Sequence, residues 1–288
     1  MPHDQRACAS ASKELLRLTE CGRRGLHRDD AGFAWSGSRA LSLAFLIFSA
    51  FLPWPKSALA QAPADLSAAD ACLAANQNLS VGARLPRSAA RLKAGGPFRM
   101  VAIGSSSTTG LWALDSAATY PQVMRRELMR LRPKSQVEAI NSGRIGDTIP
   151  GNLARFDRDV LSYNPDLVVW QLGTNDLAWA GGMDGLRLQI ANGVDVIKAS
   201  GADLVLMDLQ YSPLVLSSSQ HSTMQAIIAD AARQARVGLF SRFELMRRSV
   251  EAGVSPGALV SWDRLHNSAG GYDCIGRALA RAIHAAAR

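Results

Sequence analysis

Chemically versatile side chains are thinly spread in this sequence: its 288 residues include five His and four Cys. With so few thiols the composition is that of an ordinary globular protein, not of a disulfide-stapled scaffold. Long apolar runs are missing as well. The run at residues 40–52 falls short of the about 20 residues a membrane-spanning helix requires, so no permanent membrane span is expected. Internal repeats are absent, which excludes solenoid and propeller arrays. The formal net charge of +8 is not gathered into a patch: Arg and Lys are scattered along the chain, and several lie near its start. A dispersed basic excess favours solubility over base recognition, so no nucleic-acid partner is expected.

What is present begins with an N-terminal targeting pattern. Arg23, Arg24, Arg28 and Arg39 precede the apolar run, which is followed by Pro53, Pro55 and Ala58-Leu59-Ala60 before Gln61. A basic region, an apolar stretch and a small-residue site are the parts of a secretory signal peptide. The expectation is a signal over residues 1–60, cleaved after Ala60, and export to the periplasm or the medium. The Arg23-Arg24 pair lies too far from the apolar run to be read as a twin-arginine signal. Cleavage removes Cys8 and Cys21 and leaves Cys72 and Cys274. An exported protein can join these two in a bridge between the N-terminal segment and the last helix, and two free thiols are the other reading. Residues 61–97 read as an Ala-rich extension with a short helix near 66–75 and then a tether.

From residue 98 onward the segments alternate in type. Residues 100–103 have the β-branched apolar content of a buried strand, and Gly104 followed by Ser105, Ser106 and Ser107 ends it in a tight turn. Helical spacing follows over 120–131, stopped by Pro133, then a short strand at 137–140. After a loop, 153–162 reads as a helix, and residues 166–172 form an almost continuous apolar strand that breaks at Gly173-Thr174-Asn175-Asp176. Helices at 184–200, 219–236 and 243–252 alternate with strands at 203–209 and 237–240, and a last helix starts at Ala269. Five strands alternating with helices argue for a doubly wound α/β domain with a parallel sheet covered on both faces.

In such a sheet, ligands bind beyond the carboxyl ends of the strands. The first three strands lead there into serines, into a glycine-bearing loop through Gly146, and into the amide of Asn175. Far downstream, Asp263 and His266 lie three residues apart in a loop before the last helix. After loss of the signal, His221, His266 and His284 remain. Of these, His266 alone follows a carboxylate at that spacing in a loop. Acyl transfer through serine needs a hydroxyl, an imidazole, a carboxylate and oxyanion donors, and each is supplied.

The order Gly-x-Ser, Gly, Gly-x-Asn-Asp and Asp-x-x-His resembles the SGNH (GDSL-type) hydrolase family over about two-thirds of the chain, residues 98–288. The resemblance implies a three-layer αβα sandwich with a five-stranded parallel, flavodoxin-like sheet. It implies Ser106 as nucleophile, Asp263 and His266 as its triad partners, and an oxyanion hole from the Ser106 and Gly146 amides and the Asn175 side chain. The chemistry is that of a serine esterase needing no metal and no cofactor, acting on small-molecule or glycan esters, with short acyl groups favoured. An acyltransferase with the same triad and a non-catalytic glycan-binding module are the alternatives. Ser105 departs from the family, which has Asp between the first Gly and the nucleophile. Thr108 stands where an α/β-hydrolase elbow has its second Gly. Trp112 and Trp179 are expected to shape the substrate site, since their rings suit a sugar face or an acyl chain.

Overall fold

The computed structural model describes residues 67–179, 183 and 185–288, with the side chains of Ala178 and Trp179 outside that description. The expected signal peptide, its cleavage site and the first residues of the extension lie outside the described residues. The segment read as a tether is in fact built into the domain. It carries α1 (Ala68–Ala75), capped by the Ser67 hydroxyl, and a further helix, α2 (Pro86–Ala94). Two acidic residues at strand entrances anchor α2: Asp166 accepts from Arg87 and Arg91 at 2.9 and 3.0 Å, and Asp203 accepts from the Ser88 amide at 2.7 Å. Sequence patterning misses this helix because Ser88 and Leu92 are its only buried residues.

The rest of the chain runs β1 (Pro97–Gly104), α3 (Ser106–Thr109), α4 (Tyr120–Leu131), β2 (Gln136–Gly143), α5 (Ile149–Leu153), α6 (Phe156–Asp159), β3 (Leu167–Gln171) and α7 (Asp176–Trp179). Then come α8 (Leu186–Ala199), β4 (Asp203–Met207), α9 (Pro213–Leu216), α10 (His221–Ala235), β5 (Gly238–Phe240), α11 (Arg242–Glu251), α12 (Pro256–Leu259) and α13 (Ala269–Ala286). All strand pairs are parallel, in the order β2-β1-β3-β4-β5. Successive strand residues face opposite layers. Met100, Ala102, Leu167, Val169, Val205 and Met207 join the core beneath α1, α4 and α13, while Val101, Ile103, Val168, Trp170, Leu204 and Leu206 join the core beneath α8 and α10. Both faces of the sheet are dry, which is why β1, β3 and β4 read as apolar runs.

The strand order reverses at β1, so its carboxyl end is the topological switch point of the sheet. There the α3 turn presses against the end of β2: a Cβ on Gly143 would lie 2.1 Å from the Thr109 amide nitrogen, so only glycine allows this approach. The single helix expected over 153–162 is instead broken into α5, α6 and a 3-10 turn at Leu161–Tyr163. Arg155 takes a non-helical backbone (φ −126°) between them and sends its guanidinium inward. No described helix is long and apolar enough to cross a membrane.

Cys72 on α1 and Cys274 on α13 are bonded as a disulfide with a Cα–Cα distance of 6.1 Å, across a sequence separation of 202 residues. Asp70 and Arg277 form an ion pair at 2.8 Å between the same two helices. A cross-link over so long a loop restricts the unfolded chain strongly. Replacing both cysteines with serine is therefore expected to lower the unfolding free energy by about 2–4 kcal/mol in urea titrations, and an unchanged value would contradict this role for the bridge.

Candidate active site

Three elements meet at the carboxyl end of β1. Ser105 leaves the strand in an extended conformation (φ −96°, ψ −154°), and Ser106 starts α3. Of the three adjacent serines, Ser106 meets an imidazole: its Oγ lies 2.7 Å from His266 Nε2. His266 Nδ1 lies 2.6 Å from Asp263 Oδ2, and Asp263 Oδ1 accepts from the Leu265 and His266 amides at 3.0 Å each. The ring is thus held with Nδ1 toward the carboxylate and Nε2 toward the hydroxyl. Ser106 and His266 are both buried, so their contact is little diluted by water. The other two histidines are engaged elsewhere. His221 contacts the Ser218 carbonyl and stacks on Phe243, and His284 accepts from Arg132.

Ser105 takes a different path. Its amide and hydroxyl both donate to Gln171 Oε1, at 3.0 and 3.1 Å, and the Thr108 hydroxyl donates to the same oxygen at 3.1 Å. An Asp at position 105 would set a carboxylate against that acceptor. Serine and Gln171 thus form a matched pair, which accounts for the departure from the family pattern. Gln171 is missed by the sequence reading, although one amide in an otherwise apolar strand is a usable signal.

The residues expected as oxyanion donors besides Ser106 lie on two further loops that touch each other. Asn175 Nδ2 donates to the Asp147 carbonyl at 2.8 Å, which places the β3 loop against the loop carrying Gly146. Gly146 has φ +76°, a conformation favoured by glycine. Among the described residues, neither the Ser106 amide nor the Gly146 amide donates to a protein acceptor. The Gly146 loop is braced from below. Asp147 accepts from Asn152 Nδ2 at 2.6 Å and pairs with the buried guanidinium of Arg155 at 2.7 Å, and Arg155 also reaches the Ser142 and Gly104 carbonyls. On the other side, Gln210 links Thr174 and Arg242 through its carbonyl oxygen and reaches the Leu265 carbonyl with its amide.

The two tryptophans expected at the site differ in outcome. The Trp179 side chain lies outside the described residues. Trp112 lies at the site, but its indole N–H donates to Asp263 Oδ2 at 2.7 Å, and its ring contacts Trp262 with centroids 5.2 Å apart. Trp262 is 77% exposed, and Leu114 and Ile145 add exposed apolar surface nearby in sequence to Trp112 and Gly146. Burial pushes the Asp263 carboxyl up, but hydrogen bonds from His266, the Leu265 amide and Trp112 outweigh it and hold the group at about 2. Its charged form is therefore favoured by folding. The stability it contributes is complete above its ordinary value of 3.8 and is lost as pH falls toward about 2. The stability gap between the wild type and Asp263→Asn, measured by urea unfolding, should narrow over that window; a gap that stays constant there would contradict the assignment.

Over residues 71–288 the sequence matches the non-GDSL lipase-like family. An arylesterase of Vibrio mimicus is 28% identical over 120 residues, which cover 40% of this chain and 56% of that protein. A two-domain esterase active on acetylated mannans superposes with a TM-score of 0.63 at 18% identity, over 74% of this chain and 56% of the other. Axe2, an acetylxylan esterase from Geobacillus stearothermophilus, superposes with a TM-score of 0.54 at 21% identity, over 65% of this chain and 94% of the other. The chain thus spans about half the length of the arylesterase and of the mannan esterase. At such low identity the two structures speak for a shared fold, the five-stranded parallel sandwich of SGNH hydrolases. Because the family match runs over well more than half of the sequence, the chain belongs to the non-GDSL lipase-like family.

Proposed function

We propose that this protein is an exported serine esterase that hydrolyses short-acyl carboxylic esters, acetyl esters above all, on small molecules or glycans. The observation that carries the reading is the continuous path from Ser106 Oγ to His266 Nε2 at 2.7 Å and from His266 Nδ1 to Asp263 at 2.6 Å. Ser106 Oγ attacks the ester carbonyl while His266 Nε2 takes its proton. Asp263 keeps the imidazole in the required tautomer and stabilises the imidazolium that forms. The negative oxygen of the tetrahedral intermediate is received by the Ser106 and Gly146 amides and by Asn175 Nδ2. As the carbon–oxygen bond to the alcohol breaks, His266 returns the proton to the leaving oxygen. Water then enters and attacks the acyl carbon as His266 takes its proton; when the bond to Ser106 Oγ breaks, His266 returns that proton to Ser106 Oγ and the acid is released.

Relatives support the substrate class by what they are described as acting on: aryl esters in one case, acetylated mannans and acetylated xylans in two others. The exposed rings of Trp112 and Trp262 beside the triad suit a sugar face or an aryl alcohol. Export is supported by the N-terminal pattern and by the Cys72–Cys274 bond, which persists in an oxidising compartment.

Acetate release from p-nitrophenyl acetate and from acetylated xylo- and manno-oligosaccharides tests the reading. Ser106→Ala should abolish turnover. Asn175→Ala should lower kcat by about 10²–10³-fold, the usual loss for one oxyanion donor, while leaving the unfolding midpoint close to that of the wild type. Full activity in Ser106→Ala would overturn the assignment. Acyl transfer to an added sugar in preference to water would make the enzyme a transferase, and no turnover of either kind would leave a glycan-binding module.

A further inference from the structure

We infer that Trp112 is a positioning residue of the catalytic triad: its indole N–H locks the Asp263 carboxylate that orients His266. The inference rests on the esterase reading of the same site. Asp263 is held by four donors divided between its two oxygens. Oδ1 accepts from the Leu265 and His266 amides, and Oδ2 accepts from His266 Nδ1 and Trp112 Nε1. Three of these donors belong to the same short loop as the carboxylate and would move with it. Trp112 is the one that comes from elsewhere, 151 residues away in sequence. Among the donors to Asp263, its bond is the one that ties the carboxylate itself to a different segment of the chain.

The anchor of Trp112 gives the contact its meaning. The preceding residue, Leu111, donates its amide to the Ser106 carbonyl at 3.0 Å and accepts from the Tyr272 hydroxyl at 2.8 Å. The contacts therefore close a ring: Ser106 to His266, His266 to Asp263, Asp263 to Trp112, and back through Leu111 to Ser106. A displacement of the nucleophile relative to the acid must break one of these bonds. The distance between Ser106 and its base is thus set from both sides.

The backbone carries a matching signature. Trp112 has φ +69°, in the left-handed region that bulky side chains avoid. Such a conformation survives where surrounding contacts over-determine it, and functional sites are where it accumulates. Here the hydrogen bond to Asp263 and the tilted contact with Trp262 hold the ring in place. Trp112 is 44% exposed, so its burial alone gives little reason for the strained backbone.

Trp112→Phe keeps an aromatic ring and removes the N–H. On p-nitrophenyl acetate, kcat should fall about tenfold with KM unchanged, the order expected when one hydrogen bond to a charged group is lost. In an Asp263→Ala background the same substitution should have almost no further effect, because the group it positions is gone. The benzothienyl isostere of tryptophan at position 112, which replaces N–H by sulfur at constant shape, should reproduce the loss in kcat. In ¹⁵N-Trp-labelled wild type, the indole proton of Trp112 should move upfield on Asp263→Asn. Retention of wild-type kcat in Trp112→Phe or in the isostere overturns the inference. So does a raised KM at constant kcat, which would make the ring a substrate platform, or an equal loss in the Asp263→Ala background, or an indole proton that does not move. Absence of ester hydrolysis in the wild type would instead overturn the esterase reading, and it is seen before any variant is made.

Discussion

The 2.7 Å contact between Ser106 and His266 joins residues 160 apart in sequence, and the architecture is arranged so that it can form. Ser106 is delivered by the switch point of a parallel sheet, where β2 and β3 flank β1 and no strand continues above it. His266 is delivered by a loop whose far end is fixed by α13. That helix begins with a Ser268 hydroxyl accepting from the Gly271 amide, packs against α4 and α1, and is tied covalently to α1 through Cys274. The two halves of the site thus inherit their separation from two rigid supports and from the bonds that join them.

Between those supports lies a buried polar network that apolar packing could not replace. Gln171 takes three donors from the Ser105–Thr108 turn, and Thr108 also contacts Tyr120. Arg155 ties the β1 and β2 ends to Asp147, and Arg242 meets Gln210 and the Asp208 carbonyl beneath the third loop. Burial of this kind has electrostatic consequences. Desolvation pushes the Asp208 carboxyl up to about 6 and the Arg242 guanidinium down to about 10. Each loop that carries a reactive group therefore rests on a charged or amide side chain whose own bonds are directional. Directional bonds fix loop position more sharply than apolar contact does, which is what donors aimed at a developing charge require.

The parts of this arrangement legible in the sequence are those set by local pattern. β3 and β4 show as apolar runs because both their faces are buried, and α4 ends as its spacing predicts because Arg132 and Pro133 stop it. Ser106, Gly146 and Asn175 are legible as loop residues after successive strands, and Asp263 and His266 as a carboxylate and an imidazole three residues apart before the last helix. What stayed hidden depends on partners distant in the chain. α2 is held by Asp166 and Asp203 and shows no apolar stripe of its own; the break at Arg155 follows from a guanidinium drawn under two other loops; and the Trp112 bond to Asp263 spans 151 residues. Ser105 departs from the motif, and its contact with Gln171, a residue that patterning shows only as part of a strand, makes it a substitution with a partner.

We propose that His266 activates the Ser106 hydroxyl. Reaction with a biotinylated fluorophosphonate, followed by peptide mapping, measures that activation directly, since an ordinary serine does not react with such a reagent. A single modification on Ser106, lost when His266 is replaced by alanine, is the predicted result. Labelling of Ser105, Ser107 or a serine elsewhere, or unchanged labelling without His266, would contradict it.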